Sequence, residues 1–426
     1  MQERLIHFIW QNLLFSTGNL FGMDGERIQI IHRGFINSHA GPDFTNAKIK
    51  MDETLWAGNV EIHIKSGDWI KHGHTSDKSY DNTILHVCWE SDGPVYRTDG
   101  TKIACLVLQD KVDHSLLDKY YALLSSPNEI PCSSLIHKID DFTWNNWQER
   151  LVAERLEHKT ENIFIALKQL NNDWNEVFYR LIARSFGLTI NTEPFETLAR
   201  MLPFKFLTRH RKNPLQIESL IFGVSGFLNQ EREDLYPQQL NTEYAFLKKK
   251  YGLKELDYSE WKFLRLMPAN FPSIRLAQFA ALIHLPDNIF SHCIEIHSFQ
   301  TYAKYLKIKL NPYWNTHYLF DQPATKREKN IGETLIYQII LNTIVPFQFA
   351  YGIYKDDQSI KQNALDMLLN CKPENNAIVR KWAEIGIISK NSWQTQALLQ
   401  LKNEYCSKKR CVECQIGFKL LKNEAI

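Results

Sequence analysis

Between Val60 and Lys65 the chain alternates without a break, Val-Glu-Ile-His-Ile-Lys, and no other run restricts its fold as tightly. An extended strand turns Val60, Ile62 and Ile64 to one face and Glu61, His63 and Lys65 to the other. A helix would scatter the same six residues around its circumference. One face therefore belongs to a core, and the opposite face lines up an acid, an imidazole and an amine. The run lies within residues 41–89, which also hold Asp43 and three further histidines, His72, His74 and His86.

Around this strand the punctuation predicts an α/β or α+β domain over 1–125. Leu5, Ile6, Ile9, Trp10, Leu13 and Leu14 recur at three-to-four spacing, the mark of an amphipathic helix over 2–15. Glu3 and the lack of a small-residue cleavage site set it apart from a secretory signal. Strand-like runs follow at 27–32, 47–51, 59–65, 83–89 and 102–109, divided by Gly, Asp, Asn and Pro. Pro127 and Pro131, in a stretch of little periodicity, mark 126–140 as a linker. Beyond it helical patterns dominate at 144–170, 174–186, 194–202, 216–227, 242–251, 274–283 and 334–345. These predict a helical domain over 141–330 and a second over 331–426 with a cysteine-bearing end. A chain of 426 residues, 44% hydrophobic, is long and apolar enough for two or three such domains.

A formal charge of +2 makes no demand for a polyanionic partner, so nucleic-acid binding has to rest on local basic faces. The cluster at 207–213 supplies Arg209, Arg211 and Lys212, readable as a nucleic-acid contact or as a solvated surface. Arg275 is open in the same way, as a partner-facing group or a buried structural one. The apolar segment 334–354 is interrupted by Gln338, Asn342, Pro346 and Gln348, which favours a buried helix pair over a membrane span. Eight cysteines without a signal sequence suggest reduced thiols in the cytoplasm.

The chemistry concentrates in 41–89. Gly41 and Pro42 fix a turn that places Asp43 at the mouth of the next strand. Two carboxylates delivered from neighbouring strands, Asp43 and Glu61, suit a hard cation such as Mg²⁺ or Mn²⁺, which takes oxygen ligands and keeps waters for a substrate phosphate. His63 and Lys65 share the strand face of Glu61 and can position a metal-bound water or offset phosphate charge. The following loop offers Asp68, His72, His74, Asp77 and Tyr80, and the next strand His86. His72 and His74, with Asp77 or His86, would also make a Zn²⁺ or Mn²⁺ set.

Pro42-Asp43, a strand-sized gap and Glu61-Ile62-His63 together resemble the site of the PD-(D/E)XK phosphodiesterases. That resemblance implies the restriction-endonuclease-like mixed sheet over roughly 1–110, Mg²⁺ on the acids, and a lysine beside the attacking water. Here His63 stands at the lysine position and Lys65 lies two residues on. The whole chain also resembles a family of uncharacterised bacterial proteins, through GPDF, VEIH, DWxxHxH, IESLIFGVSGFL and PANFPSIRLAQ. No activity comes with that likeness.

Cys406, Cys411 and Cys414 close the chain at C-x₄-C-x₂-C, which suits Zn²⁺ or an iron–sulfur cluster if a fourth ligand arrives from elsewhere, Cys371 first among the candidates. The same end is similar to the loop of endonuclease III-type DNA glycosylases, where a QAL-bearing helix runs into a cysteine cluster. Leu420 stands here where that loop has its last cysteine.

Three functions fit these residues. The first is a metal-dependent nuclease cutting DNA or RNA. The second is a metal-dependent small-molecule hydrolase or oxygenase using the His-rich loop, and the third a non-catalytic nucleic-acid-binding or scaffold protein.

Overall fold

A computed structural model describes residues 1–37, 39–285, 289–296 and 298–422. By packing, the chain forms two units, Met1–Trp147 with Leu401–Ile426, and Gln148–Gln400. The stretch 126–140, expected as a linker, thus lies inside the first unit. It carries a 3₁₀ turn, Ser133–Lys138, and buries Ile130, Cys132 and Ile136. The cysteine-bearing end joins this N-terminal unit rather than closing a helical one.

In the first unit helix α1 (Glu3–Asn12) buries Leu5, Ile6, Phe8, Ile9 and Trp10. Strands β1 (Leu20–Phe21), β2 (Arg27–His32), β3 (Phe35–Ile36), β4 (Phe44–Met51) and β5 (Thr54–Lys65) follow, then β6 (Thr83–Glu90) and β7 (Ala104–Val107). They make one mixed sheet in the order β1-β2-β4-β5-β6-β7, with β3 paired to β4. The β2–β4–β5 part is antiparallel, and β5–β6–β7 is parallel. Asp52 and Glu53 join β4 to β5 in a two-residue turn, Asp52 taking the left-handed conformation that such turns require.

A parallel β5–β6 pair needs a crossover, supplied by a short helix α2 (Asp68–Lys71) and two 3₁₀ turns, His74–Ser76 and Lys78–Tyr80. At the start of the pair Gly58 has no room for a side chain, since a Cβ would fall 2.4 Å from Ile84. Irregular register at Asn59/Val60 and at Phe44/Ala47 bends both strands beside Asp43 and Glu61. Helix α3 (His114–Ser125) follows the sheet.

The second unit is helical apart from the small pair His317–Leu319 and Gln322–Pro323. Its core includes Pro272–Ile283, whose described residues are nearly all buried, and Gly223 of Pro214–Val224 lies against the Tyr244 ring. The segment expected as a buried helix pair is one continuous helix, Glu333–Lys355, with a π-helical turn at Ile340–Ile344. Pro346 lacks an N–H and crowds the preceding turn, and a widened turn just before it relieves both. This helix is long and apolar enough to cross a membrane, but 67% of its most apolar window is buried within the protein.

Arg275 is buried and donates to Gln278 at 2.7 Å and Asn270 at 2.6 Å. Arg209 and Lys212 are exposed and Arg211 is half-buried. His210, between them, is buried against Gln216 and Tyr251.

Candidate metal centre

The Asp43 end of β4 and the centre of β5 are tied by reciprocal hydrogen bonds. The Asp43 main-chain N–H donates to Glu61 Oε2 at 2.9 Å, and the Ile62 N–H donates to Asp43 Oδ2 at 2.9 Å. Phe44 stands opposite Val60 in the register, so the residues flanking that pair meet. The other oxygen of Glu61 faces His74 Nε2 at 3.3 Å and His63 Nε2 at 3.8 Å. Glu61 is 5% exposed, His63 1% and, on β6, His86 0%, so the polar face of β5 is dry at Glu61 and His63.

Three imidazoles complete the cluster. Ligand atoms of His63, His72 and His74 lie within 4.8 Å of one another. His63 Nε2 is 3.1 Å from His72 Nδ1, and His63 Nδ1 is 2.8 Å from His86 Nε2. In the parallel register Glu61 faces His86, which brings the β6 histidine behind His63. Between His72 and His74, Gly73 adopts φ 79°, a left-handed turn that a Cβ would strain and that returns both rings to one cluster.

The crossover is pinned from below. Trp69, fully buried, donates its indole N–H to the Tyr96 carbonyl at 3.1 Å and packs edge-on to His74 and Tyr80. Tyr80 stacks on His74 with centroids 3.8 Å apart. Ser66, also fully buried, accepts from the N–H groups of Asp92 and Gly93. Trp69→Ala should therefore cost ~3–5 kcal/mol through the cavity left behind and weaken metal binding through His74. Urea unfolding and a metal titration check both effects, and an unchanged midpoint would refute them.

Burial and the Asp43 charge push the Glu61 carboxyl up to about 8. Burial, then the neighbouring His86, His72 and His74, hold His63 down at about 2. His74 is lowered chiefly by burial. His63 and His74 are thus neutral, with lone pairs available. His74 Nε2 meets Glu61 Oε1, and His63 and His72 bring nitrogens together with at most one proton between them, so their lone pairs could converge on a cation. If His63 ligates through Nε2, its Nδ1–H donates to His86 Nε2, and Cys105 of β7 stands opposite His86 in the register. His86 therefore orients His63 from behind.

Helix α1 adds two residues that strand and loop patterns did not indicate. His7 Nε2 stands 3.2 Å from Asp43 Oδ2. Burial works against its charge, but the Asp43 hydrogen bond and the Asp43 and Glu3 charges outweigh it, so its pKa is raised. Glu3 is raised by burial, with His7 and Asp43 acting on it in opposite senses. The available signal was Glu3 and His7 at i, i+4 on the polar side of an amphipathic helix.

The remaining sequence-derived residues stand apart from the cluster. Lys65 Nζ lies 2.6 Å from Glu90 on β6, an exposed pair at the far end of the strand. Asp68 accepts from the Lys65 N–H and pairs with Lys71. Asp77 caps the Lys78–Tyr80 turn by accepting from the Ser79 N–H and hydroxyl.

A mixed sheet with an acid-and-imidazole centre on its middle strands, followed by a helical unit, defines an α+β protein. The chain belongs to the family described as protein of unknown function (DUF2851), which matches residues 3–377. No curated protein and no solved structure matches it.

Proposed function

We propose that the first unit is a metal-dependent phosphodiesterase acting on DNA or RNA. The observation that carries this reading is the meeting of Asp43, Glu61, His63, His72 and His74 in one cluster, with Glu61, His63 and His74 buried, His72 exposed and His7 beside them. Nitrogen and oxygen donors together suit Mn²⁺ or Zn²⁺ better than Mg²⁺, which prefers oxygen. A cation held by Glu61, His63, His72 and His74 would polarise a phosphoryl oxygen and acidify a bound water.

The protein's own groups have separate tasks. Asp43, fixed by the Ile62 N–H, holds the charged form of His7, and that imidazolium can offset phosphate charge or supply a proton to the leaving oxygen. The element order supports the PD-(D/E)XK, restriction-endonuclease-like reading. A helix precedes the antiparallel strands β2, β4 and β5, Asp43 leads into β4 and Glu61 sits in β5, and a crossover returns the parallel β6. His63 stands where that family has lysine. The exposed Arg209 and Lys212 favour a polyanionic partner, and eight free cysteines fit a reducing cytoplasm.

Protein stripped with EDTA and reloaded with Mn²⁺, Zn²⁺ or Mg²⁺ should nick plasmid DNA or degrade RNA, best with Mn²⁺. Asp43→Asn should slow this by ~10²-fold or more. Failure of every metal on DNA, RNA and an activated phosphodiester would sink the proposal, as would a wild-type rate for Asp43→Asn.

The three-imidazole set also favours a second reading, a small-molecule hydrolase or oxygenase with tightly held Zn²⁺ or Fe. Metal that survives dialysis, without phosphodiester cleavage, would select it.

A further inference from the structure

The cysteine-bearing end has a partner the spacing did not indicate. Cys132, in the stretch between α3 and the helix Asp141–Gln169, lines one cavity with Cys406, Cys411 and Cys414. Leu123, Pro131 and Tyr405 line it beside them. All four thiols are buried, and they are electrostatic neighbours. Cys406 feels Cys414, Cys132 and Cys411, and Cys132 feels Cys414 and Cys411. Cys371 belongs to the second unit, at the end of the helix Gln358–Asn370, where burial alone acts on its thiol.

Burial raises the Cys414 thiol to about 12, while main-chain N–H groups of Gly417 and Ile416 pull it the other way. Its sulfur faces the main-chain N–H groups of Ile416 and Gly417. Those donors come from the first turn of the helix Gln415–Lys422. That helix can approach only because residue 417 is glycine, since a Cβ would fall 2.0 Å from the Cys411 carbonyl oxygen. A metal-bound sulfur would find in those N–H groups donors for its negative charge.

Sulfur spacing bears on which metal. A tetrahedral zinc holds thiolates at about 2.3 Å and so about 3.8 Å from one another. Among the described residues no three of these sulfurs gather within 4.8 Å of one another as His63, His72 and His74 do, a looser set than a single zinc ion would draw in. A polynuclear centre, with each thiolate on a different metal edge, fits such a set.

We propose that Cys132, Cys406, Cys411 and Cys414 hold an iron–sulfur cluster, which ties the C-terminal end of the chain to the N-terminal unit. This site is independent of the histidine centre and of the activity proposed for it. Protein purified without oxygen, or reconstituted with ferrous iron and sulfide, should be brown and contain iron and acid-labile sulfide at about two to four per chain. Cys132→Ser should lose the colour and most of the iron, while Cys371→Ser should keep both.

Should Cys132→Ser fail to fold, wild-type protein decides the matter by alkylation followed by mass spectrometry. Cys132, Cys406, Cys411 and Cys414 should become reactive together once an iron chelator is added, while Cys371 and Cys293 remain unchanged. A colourless protein after reconstitution overturns the proposal. So does stoichiometric zinc, full iron in Cys132→Ser, or alkylation of the four thiols that ignores the chelator.

Discussion

Glu61→Gln should leave the protein folded and lower the metal-dependent phosphodiester cleavage proposed for it by ~10³-fold, equivalent to about 4 kcal/mol of transition-state stabilisation. Glu61 joins the two halves of the cluster. One oxygen accepts the Asp43 N–H and the other faces His74 and His63. Glutamine has the same shape. Its carbonyl can keep the Asp43 hydrogen bond, and its amide can donate to His74 Nε2. What it lacks is the negative charge that would hold a cation among neutral imidazoles. Metal affinity measured by titration should fall with the rate. Retention of wild-type activity by Glu61→Gln would remove this carboxylate from the chemistry. Lys65→Ala separates the two strand positions that periodicity could not. With its amine 2.6 Å from Glu90, Lys65 should matter far less, and a loss as large as that of Glu61→Gln would return it to the chemistry.

Much of the layout could be read from periodicity because each element carries its own signal. The strand at Arg27–His32 and the helix Trp174–Phe186 fall where alternation and three-to-four spacing put them. Alternation also put Glu61 and His63 on one face, and parallel pairing then supplied His86, a neighbour that no local pattern specifies. The same alternation grouped Lys65 with Glu61, yet residues at i and i+4 on a strand lie some 13 Å apart at about 3.3 Å per residue. Lys65 finds Glu90 instead. His7 and Cys132 were hidden for another reason. Each is a single residue whose partner lies far off in the chain, Asp43 for one and Cys406, Cys411 and Cys414 for the other. Only tertiary packing brings such pairs together. A Pro-bearing stretch without periodicity reads as a linker, yet 126–140 is held by the burial of Ile130, Cys132 and Ile136.

Metal-free protein should be most stable between about pH 4.5 and 6.5 and should weaken on both sides, for opposite reasons. Glu61 rises from 4.5 to about 8, so across that interval the folded chain keeps a proton that the unfolded chain has released. The unfolded state then binds fewer protons, and stability falls as pH rises, by at most ~1.4 kcal/mol per unit. The raised pKa of His7 acts in the same direction above 6.5, its contribution being lost as pH climbs through the folded value. His63, lowered from 6.5 to about 2, works the other way. Below 6.5 the unfolded imidazole takes a proton that the folded one refuses, and stability drops with pH; the lowered His74 adds to this. Between 4.5 and 6.5 the slopes of Glu61 and His63 oppose each other. From pH 6.5 to 8 only the falling limb remains, worth ~2 kcal/mol for Glu61 alone. Thermal melts in EDTA should therefore decline over that range, and Glu61→Gln should flatten the decline because its side chain cannot ionise. Added Mn²⁺ should reverse the slope, since the cation competes with the Glu61 proton and its stabilisation grows as pH rises. An EDTA-treated wild type that melts evenly from pH 6.5 to 8, or a Glu61→Gln variant that declines as steeply, would show that Glu61 does not carry the proton assigned to it.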